Sequence, residues 1–343
     1  MGELLSHRFV SRRGFMKRSM GAAAAAGLAA WSARAAGAKS GTPNPFAYDV
    51  DRLKKTDPKW LHYRQIGQFK VPREEARRLT IGPAGRLYVS AGNYVCVLDA
   101  QGGRVTEIAL SASARCAAVA RDGTVYVSLR DHVELFDDKG QRRGTWESPG
   151  RRTWITGLAV GESDVFAADS GNRVVLRYDR SGKLAGRIGE KNKDRNVPGF
   201  ILPSPFLDVE LHQDGLLRVN NPGRHQVEAY TPEGDLELVW GKATMSIEGF
   251  CGCCNPIALA LLPDGRIVTC EKGLPRVKVY SVKGEFESVV AGVETFAENA
   301  KVCDPSDCTT GGLDAAVDAA GRVYVLDLVA NDIRVMTRKA GAG

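Results

Sequence analysis

Six copies of one unit run along this chain of 343 residues, and they dictate the kind of fold it can adopt. In each unit a turn leads into an apolar strand, and a polar loop then leads into another strand. The strands after these turns begin at or just beyond Gly85, Gly123, Asp164, Gly215, Gly265 and Gly321. A period of about 38 to 56 residues predicts a propeller or a related array of small sheets.

Each unit has the pattern of a four-stranded antiparallel blade. An apolar segment precedes the turn, as at 155–160 and 257–262, and fits a buried inner strand. Pro263-Asp264-Gly265 is a typical hairpin turn. The strand after the polar loop alternates in side-chain type, as in Arg276-Val-Lys-Val-Tyr280. We therefore predict an all-β fold, a six-bladed β-propeller over residues 61–339.

The sixth unit ends after three strands, so one outer strand has to come from elsewhere. The segment Tyr63-Arg-Gln-Ile-Gly-Gln-Phe69 can supply it from the N-terminal side and close the ring. Closure removes the free sheet edges that an open array would expose. A six-unit array with an open end is the alternative.

The repeat resembles the NHL repeat over roughly residues 64–337. NHL blades carry an apolar inner strand, an Asp-Gly turn, a Tyr-Val-x-Asp strand and an Asn-Arg-Val loop. Asp169-Ser-Gly-Asn172-Arg173-Val174, in the third unit, matches that loop most closely. The resemblance implies a six-bladed propeller, and NHL propellers commonly serve as modules for protein interaction.

The first 38 residues read as an export signal. Ser11-Arg12-Arg13-Gly14-Phe15-Met16-Lys17 resembles the twin-arginine (Tat) motif, and a weakly apolar segment rich in Ala and Gly follows it. Ala36-Gly37-Ala38 offers a cleavage site, and residues 39–60 are expected to form a linker. The resemblance implies the Tat translocase as a partner during export, a periplasmic location, and folding before export, which often serves to insert a cofactor.

The charge and hydropathy of the chain argue against nucleic-acid binding and against a transmembrane span. Six of the basic residues and one acid lie within residues 1–38, so +5 of the formal net charge of +7 belongs to the signal and +2 to the rest. Because no basic patch with interleaved aromatic residues occurs in the body of the chain, we expect no nucleic-acid binding. No later segment is apolar over the length that a transmembrane span needs.

Eight cysteines are distributed unevenly. Cys96 and Cys116 fall in strand patterns of the first two units, and we expect small buried groups or a structural pair there. The other six lie between residues 251 and 308. Five of them occupy two loops between units, in Cys251-Gly-Cys253-Cys254 and Cys303-Asp-Pro-Ser-Asp-Cys308, and Cys270 follows the second strand of the fifth unit.

These six cysteines are expected to gather at one rim of the propeller, because loops between blades and loops between second and third strands open on the same face. Several thiolates held by a rigid scaffold suit an iron-sulfur cluster, copper or zinc. We predict Cys253, Cys254, Cys303 and Cys308 as metal ligands. Cys251 and Cys270 are expected as substitute ligands or as a disulfide pair.

Two other interpretations of the cysteines stay open. An even number of cysteines in an exported protein usually indicates disulfides. Against this stands the adjacency of Cys253 and Cys254, because neighbouring cysteines bond to each other only in strained geometry. A redox-active or reactive thiol is the third interpretation.

The charged loop next to these cysteines is a candidate cofactor-binding element. Glu271, Lys272 and Arg276 could bind an acidic ligand or tune the potential of a cluster. The alternative is a set of ion pairs that holds the blades in register. The histidines at 132, 212 and 225 have no ligand-like spacing and are interpreted as ordinary core or surface residues.

Three functions are compatible with the sequence. The leading one is a periplasmic propeller that binds a thiolate-ligated metal and serves as an electron-transfer or accessory subunit, with a periplasmic or membrane-bound protein partner. The second is a disulfide-stabilised interaction scaffold without catalysis. The third is a metal-dependent lyase or hydrolase with its site in the channel, although no Gly-x-Ser-x-Gly or His-Glu-x-x-His motif occurs.

Overall fold

A computed structural model describes residues 53–296 and 312–342. Within these ranges the chain forms 24 strands in six antiparallel sheets of four strands each. The predicted all-β, six-bladed propeller is confirmed. The short helices of the described ranges are 3-10 turns at Pro58–Trp60, Pro83–Gly85, Pro222–Arg224 and Val293–Thr295, and none of them has the length or apolar character to cross a membrane.

The first three blades follow the N-terminal strand. Strand β1 spans Tyr63–Lys70. Blade I consists of β2 (Ala76–Ile81), β3 (Leu87–Ala91), β4 (Tyr94–Leu98) and β5 (Arg104–Ala109). Blade II consists of β6 (Cys116–Val119), β7 (Val125–Ser128), β8 (Val133–Phe136) and β9 (Arg142–Thr145). Blade III consists of β10 (Ile155–Val160), β11 (Asp164–Asp169), β12 (Val174–Asp179) and β13 (Leu184–Ile188).

The other three blades complete the ring. Blade IV consists of β14 (Val209–Leu211), β15 (Leu217–Asn221), β16 (Gln226–Tyr230) and β17 (Leu236–Trp240). Blade V consists of β18 (Ala258–Leu261), β19 (Ile267–Glu271), β20 (Arg276–Tyr280) and β21 (Phe286–Ala291). Blade VI consists of β22 (Leu313–Val317), β23 (Val323–Asp327), β24 (Asp332–Arg338) and the N-terminal β1.

Strand β1 closes the ring, as the sequence predicts. It pairs antiparallel with β24 from Tyr63 opposite Arg338 to Lys70 opposite Asp332. The innermost strands of neighbouring blades lie against one another, and β22 of blade VI contacts β2 of blade I. The two ends of the propeller are therefore joined by main-chain hydrogen bonds within one blade.

The turns between strands are fixed by aspartate side chains and by glycine. After β12, the Asp179 carboxylate accepts hydrogen bonds from the backbone N–H groups of Ser181 and Lys183 at 2.9 and 3.0 Å. Gly182 lies between them with a φ of 92°, a conformation that a side chain disfavours. The same turn follows the third strand of blades I to V, where a side-chain acceptor stands three residues before a glycine: Asp99, Asp137, Asp179, Thr231 and Ser281.

The hydrophobic core is divided among the junctions between blades. One cluster of buried side chains lies at each of the six junctions, and each cluster draws on both blades that meet there. The apolar alternation of the strands thus serves to pack sheet against sheet around the axis. Polar side chains and a cavity lie on the axis itself.

Candidate functional site

A cavity opens at the end of the central channel where the innermost strands begin. Its volume of about 480 Å³ is typical of small-molecule sites. All six blades contribute to its wall, through Ala76, Arg77, Arg78, Arg115, Trp154, Thr156, Pro205, Phe206, Ile257, Leu313, Asp314 and Leu328. The cavity therefore lies on the axis of the ring.

Arg78 closes the floor of this cavity. Its guanidinium group forms ion pairs with Asp208 and Asp314, each at 2.8 Å, and donates to the carbonyl oxygen of Thr156 at 3.0 Å. Asp314 also accepts a hydrogen bond from the backbone N–H of Leu79 at 2.7 Å. One side chain thus joins blades I, III, IV and VI, and it separates the cavity from the narrower channel below.

Carboxylates line the narrower channel. Burial raises the pKa of Asp208 to about 6, although the charge of Arg78 opposes the change. Burial also raises the pKa of Glu210 well above its usual range, and the charges of Asp208 and Asp314 add to the effect. Within the described ranges, the residues that line the cavity and the channel include no histidine.

Arginines form one side of the cavity wall. The guanidinium of Arg115 lies 5.0 Å from the ring centroid of Trp154, and that of Arg130 lies 5.6 Å from the same centroid. Arg77 pairs with the exposed Glu75 at 3.3 Å. Burial lowers the pKa of Arg115, and the positive charges of Arg77 and Arg130 lower it further. This wall therefore carries more positive charge than its neighbours neutralise.

Cys253 and Cys254 form a thiol pair at the rim, in the loop that leads into blade V. Their sulfur atoms are 3.2 Å apart, and Cys254 is buried whereas Cys253 is exposed. Beside them, Lys272 donates from Nζ to the hydroxyl of Ser204 at 3.1 Å. The same ammonium lies 4.4 Å from the ring centroid of Phe206, which lines the cavity. The thiol pair and the cavity are therefore neighbours.

The surroundings of Cys254 favour its thiolate form. Burial raises the pKa of this thiol, but hydrogen bonds with Ser204 and Cys253 and the charge of Lys272 outweigh burial and lower it overall. The thiolate is the form that binds metals and attacks electrophiles.

The structure does not bring Cys251 and Cys270 into this pair. The Cys251 sulfur lies 3.6 Å from the Glu271 carboxylate and packs with Leu274 and Val293, whereas Cys270 belongs to the core between blades V and VI. Burial raises the pKa of both thiols, that of Cys251 to about 12. Within the described ranges no three side chains of His, Cys, Asp or Glu are arranged so that they could hold a metal ion.

Two further cysteines lie in the hydrophobic core. Cys96 and Cys116 are buried in two different core clusters, where they act as small apolar groups. No disulfide joins two of the six cysteines of the described ranges. Cys303 and Cys308 lie outside the described residues, so their predicted role as ligands stays a prediction.

Glu271 and Arg276 belong to a buried ion-pair network. The Glu271 carboxylate pairs with Arg276 at 2.6 Å and with Lys278, and both carboxylate partners are almost fully enclosed. Lys278 also donates to the carbonyl oxygens of Ile247 and Gly249 at 3.0 and 2.5 Å, which ties blade V to the loop before it. Of the three charged residues predicted to bind a cofactor, Lys272 is the one beside the cavity.

His225 holds the cysteine loop from outside. It donates from Nε2 to the carbonyl oxygen of Gly252, between Cys251 and Cys253, at 2.7 Å. The side chain of Asn255 braces the same loop, because it donates to the carbonyl oxygens of Cys251 and Lys272 at 2.7 and 2.9 Å. The position of Cys253 and Cys254 is thus set by contacts from two blades.

The fold has recognisable structural relatives, although the sequence matches no protein-family model and no curated protein. A streptogramin B lyase structure is similar at a TM-score of 0.54, with 12% identity over 82% of this chain and all of that chain. Two structures of virginiamycin B lyase from Staphylococcus aureus are similar at 0.53, with 12% identity over 81% of this chain and all of theirs. One carries selenomethionine, and the other is a catalytically inactive variant with quinupristin. At this identity the similarity shows the β-propeller fold alone.

Sequence reasoning missed the arginine wall and Ser204. Arg115 and Trp154 each stand immediately before the first residue of an innermost strand, Cys116 or Ile155. Aligning the six units on that position would have brought these side chains to one rim. Arg77 escapes this signal because it is the second residue of β2 rather than the residue before it.

Proposed function

We propose that this protein is an exported propeller of the NHL type, secreted to the periplasm by the Tat route, that holds a thiolate-ligated metal at the rim of its channel. The Tat-like segment Ser11–Lys17 supports export in the folded state, which suits a cofactor inserted in the cytoplasm. The Asn172-Arg173-Val174 loop supports the NHL assignment. The observation that carries the proposal is the pair of sulfur atoms 3.2 Å apart at Cys253 and Cys254.

The residues of the rim fit a metal that prefers sulfur. Two thiols face each other on a loop that His225 and Asn255 brace, and Lys272 favours the thiolate form of Cys254. Thiolates select iron-sulfur clusters, copper(I) or zinc over hard cations. A bound iron-sulfur cluster or copper would give the protein a one-electron carrier.

Further ligands are required, because two thiolates do not complete a coordination shell. We assign them to Cys303 and Cys308. Cys308 stands four residues before Gly312 in the sequence, and a chain of four residues can span up to about 14 Å. Gly312 in turn is packed against Ile257, three residues after Cys254. The chain length therefore allows Cys308 to reach the thiol pair.

The propeller contributes rigidity and a docking face. Blades IV and V hold the thiol pair through backbone and side-chain hydrogen bonds, so the ligands are preorganised. The rim faces away from the closed floor at Arg78. A periplasmic or membrane-bound redox protein is the partner that this arrangement suits, and the propeller would act as its electron-transfer or accessory subunit.

Two rival functions receive less support. A disulfide-stapled scaffold would join cysteines, and no disulfide joins two of the six described ones. The structural relatives are lyases by name, and a metal-dependent lyase or hydrolase would need ligands in the channel. The channel carboxylates Asp208 and Asp314 are instead bound to Arg78, and no histidine stands among the described lining residues.

Metal analysis of matched variants tests the proposal. Protein beginning at Lys39, purified anaerobically from the cytoplasm, should contain stoichiometric metal, with acid-labile sulfide if the group is an iron-sulfur cluster. Cys253→Ser and Cys254→Ser should each lose most of it, whereas Cys96→Ala, in the core between blades VI and I, should retain it. Wild-type protein without metal, or equal metal in all variants, would refute the proposal.

A further inference from the structure

The arginine wall is a second feature of the cavity, and it does not depend on the cysteines. Arg77 and Arg115 line the cavity, and the guanidinium of Arg130 lies 5.6 Å from the ring centroid of Trp154, which lines it too. The guanidinium groups of Arg115 and Arg130 both lie close to the Trp154 indole, and Arg77 lines the same cavity. Like charges at this separation repel one another, and the enclosed site weakens the screening by water.

The balance of charge at this wall is incomplete among the described residues. The floor contributes no unbalanced positive charge, because Arg78 is bound to both Asp208 and Asp314. Arg77 has Glu75, whose side chain is 68% exposed, so that this pair is weak. Arg115 forms no ion pair with a described carboxylate, and its buried Nε has no hydrogen-bond partner.

Apart from Thr156 and Asp314, the rest of the cavity wall is apolar. Trp154 and Phe206 present aromatic rings, and Ile257, Leu313 and Leu328 add aliphatic surface. A ligand that fills the cavity must therefore combine an anionic group with an apolar body. Inorganic phosphate or sulfate would pair with the arginines but would leave the apolar part of the wall exposed to water.

We propose that the cavity binds a small organic anion, with its carboxylate or other oxyanion on Arg115 and Arg77 and its apolar body against Trp154 and Phe206. A guanidinium donates two parallel hydrogen bonds to such a group. Arg130, beside Trp154, adds positive charge. The bound anion would relieve the repulsion among the arginines and would supply the partner that the Nε of Arg115 lacks.

Binding of a simple probe tests this inference. The full-length protein should bind 2-naphthoate in isothermal titration at low salt and should bind neutral 2-naphthamide far more weakly, because the amide lacks the charge. Arg115→Gln should weaken naphthoate binding by about tenfold or more. Arg121→Gln, at the opposite end of the same inner strand and 92% exposed, is the matched control and should change nothing.

A variant with the opposite sign sharpens the test. Glu75→Gln removes the carboxylate that competes for Arg77, so it should tighten naphthoate binding by about threefold. No binding at millimolar naphthoate would overturn the inference, as would equal affinity of the acid and the amide. Equal affinity of Arg115→Gln and the wild type would do the same.

The inference and the metal proposal can fail separately. Arg115→Gln should keep the metal content of the wild type, because its side chain lies in the blade III side of the cavity wall and not at the thiol pair. Cys254→Ser should lose the metal and still bind naphthoate. A naphthoate affinity abolished by Cys254→Ser would show that the metal, and not the arginine wall, binds the anion.

Discussion

Replacing Glu271 with glutamine should destabilise the protein strongly, because Glu271 is the acid that faces two buried cations. The exposed fraction of the side chain is 0% for Glu271, 0% for Lys278 and 5% for Arg276. Removing one partner of a buried ion pair typically costs about 3 to 5 kcal/mol. Burial already lowers the pKa of Lys278 to about 8, so without Glu271 this ammonium can release its proton. We therefore expect the free energy of unfolding to fall by no more than about 3 to 5 kcal/mol.

Equilibrium unfolding in urea measures this free energy. Glu162→Gln is the matched control, since Glu162 pairs with Arg121 in full exposure, 87% and 92%, and its loss should cost less than about 1 kcal/mol. Adding Lys278→Met to Glu271→Gln should restore part of the stability, because it removes one unpaired cation. A loss below about 1 kcal/mol for Glu271→Gln, or no recovery in the double variant, would refute the reasoning.

Two smaller predictions concern the framework. Hydrogen bonds from Arg73 at 2.9 and 2.7 Å lower the pKa of Glu107 in the folded protein. Glu107→Gln should therefore cost about 1 kcal/mol at pH 7, and this difference should shrink as the pH falls below the ordinary glutamate pKa and disappear below the lowered pKa of the folded state. A difference that does not shrink in acid unfolding curves would contradict this. Gly284→Ala should lower the melting temperature more than Gly215→Ala. Both glycines have a positive φ, but a Cβ at 284 would overlap the Trp240 indole, whereas a Cβ at 215 would meet no atom within 4 Å. Equal shifts of the melting temperature in calorimetry would contradict this.

The fold could be predicted almost completely from the sequence. Glycine and Asp residues recur at the turns between the strands, and each of the six units forms the blade expected of it. Ring closure by Tyr63–Lys70 follows from counting strands, because the sixth unit lacks its fourth. These are local or counting arguments, and they do not depend on which side chains meet across the channel.

The candidate site was harder to predict because it joins distant residues. The proximity of Cys253 and Cys254 to Lys272 follows from loop topology, and sequence reasoning reached it. The separation of Cys251 from Cys270 does not follow from loop topology, since it depends on the side of strand β19 on which each thiol packs. The arginine wall depends on the register of blades I to III around the axis, which one repeat unit alone does not reveal.

X-ray absorption at the edge of the bound metal tests the central claim most directly. For protein purified with its native metal, the account predicts a first shell made of sulfur, at about 2.3 Å for zinc or iron-sulfur ligation. Sulfur coordination should fall in Cys253→Ser and Cys254→Ser and persist in Cys96→Ala. A shell of nitrogen and oxygen alone, or a sulfur shell that both rim variants leave intact, would contradict the account.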